Sequence, residues 1–141
     1  MVYFKLSEFI NSATANKKKI NNNPTIEIKN HIEELVDNIL DPLRAAWGSG
    51  IKVTSGYRCP ALNKAVGGAK ASAHLTGYAA DIKPVNGRMK EFYEFVKKFL
   101  KDKQFDQLIN EYPNKNGVPS WVHIGYKNLK GMQRKQLLTI K

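Results

Sequence analysis

Apolar residues recur at positions 28, 32, 35, 36, 39, 40 and 43. That three-to-four spacing predicts a helix with one buried face. Thr25, just after Pro24, is an N-cap residue type, and Gly48-Ser-Gly50 supplies the stop. Pro42 predicts a kink or a restart, with Asp41 as the new cap. A second helical stripe, at 89, 92, 93, 96, 99 and 100, predicts a helix from Met89 to Leu100. Residues 3–14 suit one short helix with Ser7 as its cap, and Lys17 to Asn23 read as a polar loop. Strands are predicted from Ile51 to Thr54 and from Ala79 to Ile82. Two more run from Phe105 to Tyr112 and from Trp121 to Tyr126, joined by a polar loop from Pro113 to Ser120, and a last strand runs from Gln136 to Ile140. Residues 55–78 show no period and are rich in Gly, Ala and Ser. An irregular stretch of that length usually serves a site. Helices and strands mix without regular βαβ alternation, so the fold class is α+β.

Length and composition add limits. The 141 residues suit one domain, 1–141, large enough to bury a core without staples. No apolar run reaches the ~20 residues that span a bilayer, so membrane insertion is not expected. The start, Met1-Val-Tyr-Phe-Lys-Leu, lacks the features of a secretory signal. The expectation is a cytoplasmic protein, or one that something other than its own leader releases. Cys59 is the only cysteine, which excludes an internal disulfide and a cysteine-rich zinc knuckle. Any metal site must use imidazole and carboxylate. The formal charge is +11, from 23 basic and 12 acidic side chains. Such a surface favours polyanions, but the lysines are dispersed and there is no arginine-rich helix or aromatic–basic RNA signature. A specific nucleic-acid partner is therefore not expected.

The chain has three histidines. His31 lies beside the stripe of the first long helix, where a lone imidazole is usually structural. His74 begins the run His74-Leu-Thr-Gly-Tyr-Ala-Ala-Asp81. Gly77 lets this run turn, and Ala79 and Ala80 let it pack closely. His123 follows Trp121-Val122 on a strand, and alternation points Trp121 and His123 the same way. Two imidazoles and a carboxylate make a three-ligand zinc site with one open position for water. Spacing alone is weak support, because such a trio arises by chance in many domains.

Context strengthens it. Ser72-Ala-His74-Leu-Thr-Gly77-Tyr-Ala79-Ala-Asp81 with Trp121-Val-His123 resembles the zinc D-Ala-D-Ala carboxypeptidase family, the M15 peptidases. The resemblance extends to Ser55-Gly-Tyr-Arg58-Cys-Pro60-Ala-Leu-Asn63, Leu40-Asp-Pro-Leu-Arg44 and Asp106-Gln-Leu-Ile109. It also takes in Phe4-Lys-Leu-Ser-Glu-Phe9 with Asn23-Pro24, so it spans nearly the whole chain. It is nearest to the small single-domain branch of phage and prophage proteins. The resemblance implies the fold shared with hedgehog domains, an antiparallel sheet packed by helices with zinc on the open face. It assigns His74, Asp81 and His123 as metal ligands, and Arg58 as the arginine that holds substrate carbonyl or carboxylate and stabilises the oxyanion. Ser72 would contact substrate or form a turn. Gln107 would line the site or face solvent. Trp121 and Tyr78 would wall the cleft or pack in the core.

One family feature is missing. Several members carry an Asp or Glu three residues before the last histidine, as the general base. Here that position is Ser120. Glu111 is the replacement: if its strand pairs so that Glu111 lies near Trp121, it shares the face of His123. The implied function is a zinc-dependent peptidase acting on bacterial peptidoglycan stem peptides, as a D-Ala-D-Ala carboxypeptidase or an endolysin-type endopeptidase. Glu111 would act as base. The partner is then the wall peptide, the protein a monomer, and its route to the wall release by a holin or carriage on a virion. The alternative is a zinc-containing cell-wall-binding module without catalysis.

Overall fold

A computed structural model describes residues 1–141. The chain opens with two short helices, α1 (Ser7–Ile10) and α2 (Ala13–Lys18), where the sequence suggested one. Asn11, in extended conformation, separates them, and Ser12 caps α2 by accepting the Ala15 N–H at 3.1 Å. Ser7 caps nothing. The cap position of α1 belongs to Leu6, in helical conformation, and makes no side-chain bond.

The first long helix is α3 (Ile26–Leu35), capped by the Thr25 hydroxyl on the Ile28 N–H. At Pro42 a new α-helical segment does start, but without a break in the chain's helical course: one wide π-helical turn, Val36–Leu40, leads directly into α4 (Asp41–Trp47). The Asp41 N–H donates to the Val36 carbonyl, five residues back. A wider turn relieves the clash that a proline ring makes with the preceding turn. Asp41 is therefore no cap. Its carboxylate accepts the N–H groups of Val2 and Tyr3 and ties the start of the chain to this helix.

Five strands form one sheet: β1 (Ile51–Ser55), β2 (Ala79–Pro84), β3 (Gln107–Glu111), β4 (Trp121–Gly125) and β5 (Gln136–Ile140), in the order β1-β2-β4-β3-β5. All pairs are antiparallel except β3–β5, which is parallel. Between β1 and β2 the expected irregular stretch contains a short helix, α5 (Pro60–Ala65), and a 3-10 turn, Ala73–Thr76. The last helix, α6, spans Met89–Leu100 as the stripe predicts.

The helices cover one face of the sheet. Ala80, Ile82, Leu108, Val122 and Ile124 point into a core with Ile32, Leu35, Ile39 and Leu43 of the long helix. Phe92, Val96 and Leu100 of α6 complete it. Each buried Val, Leu, Ile or Phe among them contributes about 1.5–3 kcal/mol on full burial. Residues alternate along a strand, so Ala79, Asp81, Ile109, Glu111, Trp121 and His123 lie on the other face.

Candidate metal centre

The register aligns the chemistry. Asp81 on β2 pairs with His123 on β4, and His123 pairs with Ile109 on β3. One step along, Glu111 is directly opposite Trp121. The pairing on which the choice of Glu111 depended is present.

His74 arrives from the 3-10 turn. The Ser72 hydroxyl caps that turn by accepting the His74 N–H at 3.2 Å. Gly77 ends it at φ +85°, against α3, where a Cβ would meet the Ile28 carbonyl at 2.9 Å. A side chain there would be both strained and obstructed.

The donor atoms of His74, Asp81 and His123 lie within 4.8 Å of one another, and all three residues are buried. His74 Nδ1 donates to the Gly56 carbonyl at 2.6 Å, which leaves Nε2 facing Asp81 Oδ1 at 3.3 Å. His123 Nδ1 lies 3.0 Å from the same oxygen. Burial lowers the His74 pKa, more than the Asp81 charge raises it, so the ring is neutral. Burial pushes the Asp81 carboxyl up, but the two imidazoles hold it well below the usual carboxylate range. A neutral Nε2 on that side can coordinate a cation together with Asp81 Oδ1. Two imidazole nitrogens and a carboxylate oxygen suit a divalent transition metal. An imidazole whose second nitrogen bonds a backbone carbonyl is the usual support for such a ligand. The residues fit a metal ion.

Arg58 and Glu111 border this cluster. Burial lowers the Arg58 pKa, while the charges of Asp81 and Glu111 oppose that shift. The Arg58 Nε is buried and has no hydrogen-bond partner in the protein. Burial raises the Glu111 pKa, and the Asp81 charge raises it further, against the pull of His123 and Arg58. Glu111 is thus displaced toward neutrality, the direction that suits a group exchanging protons near pH 7.

The other expected site residues divide. Trp121 shares the face of His123 and packs on Tyr112, ring centroids 5.2 Å apart. Gln107 is on that face too, but its amide donates to Gln136 of β5 at 3.0 Å. Ser72 has its turn-forming role. Tyr78 does not join the cluster: its hydroxyl bonds Glu34 and its ring stacks on His31 at 4.0 Å, both residues of α3. Tyr78 precedes Ala79 by one residue, and alternation turns it toward the helices. Ser120 donates to the Tyr112 carbonyl at 2.7 Å and closes the loop between β3 and β4.

Three supporting residues were not among the expected site residues. Gly56 supplies the carbonyl that orients His74. The Thr54 hydroxyl donates to the Asp81 carbonyl. Buried Asn22 donates to the carbonyls of Ile10 and Tyr57 and accepts the Cys59 N–H, clamping the segment that carries Arg58. Only a polar asparagine run, Asn21 to Asn23, marks it in the sequence.

A sheet closed by helices on one face, with a trio on the other that could hold a metal ion, defines a protein of the α+β class. The family model described as Peptidase M15 matches residues 2–125. The chain belongs to the M15 peptidase family. The match ends on the last residue of β4, so β5 lies beyond it. No curated protein matches the chain closely enough to count as a relative. No helix is long and apolar enough to cross a membrane.

Proposed function

We propose that the chain is a zinc-dependent peptidase that hydrolyses peptide bonds in the stem peptides of bacterial peptidoglycan. The observation that carries this reading is the convergence of His74, Asp81 and His123 beside Glu111 on one open sheet face of an M15 peptidase. His74 through Nε2, His123 through Nδ1 and Asp81 through Oδ1 would hold the ion. Zinc bound there supplies a Lewis acid that polarises a carbonyl and acidifies water. Glu111 takes the proton of the attacking water and delivers it to the leaving amine. Its raised pKa suits both halves of that exchange. Arg58 directs a permanent charge and a planar fork of donors at the oxyanion that develops on the substrate carbonyl. Trp121 walls the cleft beside the scissile bond, and Gln107 lines the far end of the same face.

The whole chain, residues 1–141, forms one domain that acts as a monomer on this reading. Its resemblance to the phage and prophage branch supports release to the wall by a holin, or carriage on a virion. The excess of lysine would hold the enzyme near an anionic wall. Mass spectrometry of purified muropeptides after digestion by the zinc-loaded protein tests the reading. A defined peptide product is expected, and its mass identifies the bond. Intact muropeptides would refute the enzyme.

A second reading has one observation behind it. Ser120, at the position of the family's usual base, is spent on a loop hydrogen bond. Without Glu111 as replacement, the domain would bind zinc and wall peptide without cleaving. Zinc content together with an absence of cleavage would select that module.

A further inference from the structure

Strand pairing fixes two of the three metal-fitting side chains, and the third depends on a weaker element. Asp81 and His123 are register partners on adjacent strands. His74 sits on a single 3-10 turn, Ala73–Thr76. Such turns are short, and their hydrogen-bond geometry is poorer than that of an α-helix. A ligand there is held only as firmly as its surroundings hold the turn. The Gly56 carbonyl orients the imidazole, but it does not fix the path of the chain from His74 to Asp81.

Helix α3 grips that path between the two ligands. His31 Nδ1 donates to the Thr76 carbonyl at 2.7 Å. The His31 ring stacks on Tyr78, with centroids 4.0 Å apart and planes 14° from parallel. The Tyr78 hydroxyl donates to Glu34 Oε2, one turn along α3 from His31. That bond holds the Glu34 carboxyl below its usual value. Burial and the bond to Glu34 raise the Tyr78 phenol, so the proton stays on the tyrosine.

The grip extends to the strand of the third ligand. Lys127 follows the end of β4 by two residues. Its ammonium lies 3.5 Å from Glu34 Oε1 and over the rings of Tyr78 and Tyr126. The Tyr126 N–H donates to the Tyr78 carbonyl at 2.7 Å. One knot thus ties α3 to the turn that carries His74, to the start of the strand with Asp81, and to the end of the strand with His123. An ion pair as exposed as Lys127 and Glu34 contributes little stability by itself. A stacked imidazole bonded to one backbone carbonyl, and a hydroxyl bonded to one carboxylate oxygen, instead specify where the chain runs.

We infer that His31, Glu34 and Tyr78 are positioning residues for the metal centre. Through Thr76 and the backbone of Tyr78 they set where the His74 imidazole stands relative to Asp81 and His123. None of the three belongs to the donor trio. The inference rests on the metal-centre part of the peptidase reading and not on turnover.

Two metal readouts test it on the full chain. Competition with a chromophoric chelator gives the Kd for zinc, at a temperature where circular dichroism shows each protein folded. The visible absorption of the cobalt(II)-loaded protein reports the coordination geometry. Tyr78→Phe removes the hydroxyl and keeps the ring, and His31→Ala removes the stack and the Thr76 bond. Val96→Ala, a core change on α6, weakens the fold outside the knot. The Kd for zinc should rise about tenfold in Tyr78→Phe and in His31→Ala, the low end for residues that orient a ligand from outside. The cobalt bands should shift in both. Val96→Ala should lower the melting temperature and leave both metal readouts at the wild-type values. An unchanged Kd and cobalt spectrum in Tyr78→Phe and His31→Ala would reduce the knot to a stabiliser of the fold and overturn the inference. An equal rise of Kd in Val96→Ala would tie the effect to global stability and overturn it too. A wild type that binds neither ion sinks the metal centre and the inference together. The expected shifts without any peptide cleavage would uphold the positioning residues while the peptidase reading falls.

Discussion

The two faces of one sheet show what alternation allows. On β2, Ala80 and Ile82 are fully buried among the helices, and Asp81 between them joins two imidazoles on the other side. On β4, Val122 and Ile124 pack in the core while His123 faces the cluster. Each strand thus carries a packing residue and a chemical residue in adjacent positions. The packing face fixes the register, because a one-residue slip would bury the charged set and expose the apolar one. The chemical face inherits its geometry from that constraint. The two faces should therefore respond to mutation in opposite ways.

The largest separation is expected at His74. His74→Ala should take bound zinc from about one ion per chain toward none and abolish peptidase activity, since a three-ligand site loses an essential donor. The fold should persist, as circular dichroism and metal analysis would show together. Retained zinc and turnover in that variant would remove His74 from the centre. Glu111→Gln separates chemistry from metal on the same face. Turnover should fall by about 10²–10⁴-fold with zinc content unchanged, the range for losing a general base. Full activity would exclude Glu111 and leave the mechanism without a base.

The packing face should give the reverse result. Ile82→Ala, one residue from Asp81, should cost about 2–5 kcal/mol in chemical denaturation while the folded fraction keeps its zinc. A loss of metal greater than the loss of fold would mean that the two faces are not separable. The smallest effect belongs to the pair that holds β5. Asp106 accepts from the Arg134 side chain at 2.7 and 2.9 Å and from its N–H at 3.1 Å. Burial pushes the Asp106 carboxyl up, but the bonds from Arg134 bring it below its ordinary value. A depressed carboxyl stabilises the fold above its unfolded pKa of about 3.9. That contribution is lost as pH falls through the lower folded value. Arg134→Ala should therefore cost about 1 kcal/mol at neutral pH, discounted for an arginine side chain 37% exposed. The gap between variant and wild type should close in acid. A gap that widens on acidification would reverse the sign and refute the pairing.

The same division explains what the sequence could disclose. The core-facing pattern was legible because burial imposes a period: α6 has the predicted bounds, Thr25 caps the long helix, and the strands containing Asp81 and His123 lie where alternation put them. Glu111 was legible only as a conditional, because register depends on a partner strand that sequence does not display. Polar contacts were the least legible. Nothing in the pattern says that Asp41 would hold Val2 and Tyr3, or that Tyr78 would give its hydroxyl to Glu34. A cap and a tether use the same carboxylate, and only the path of the chain decides between them. Helix α5 was hidden for another reason. At six residues it is too short to establish a period, and Pro60 fits its first turn while also suiting a loop. The parallel pairing of β5 was equally silent, since a strand's composition is the same in either direction.

Gly56 joins two distant parts of the molecule through one peptide group. Its bare Cα side lies against Phe9, where a Cβ would come within 2.6 Å of the Phe9 Cα and carbonyl oxygen, and its own oxygen receives the His74 proton. The following residue, Tyr57, donates its N–H to that same Phe9 carbonyl at 2.6 Å. The tautomer of a central imidazole is thus referred to a helix at the start of the chain, some sixty residues earlier. Tilting that peptide plane would withdraw the acceptor and let the ring proton migrate to the nitrogen that faces Asp81. The first ten residues act as a keel for the centre: remote from its chemistry, they fix which lone pair it can offer.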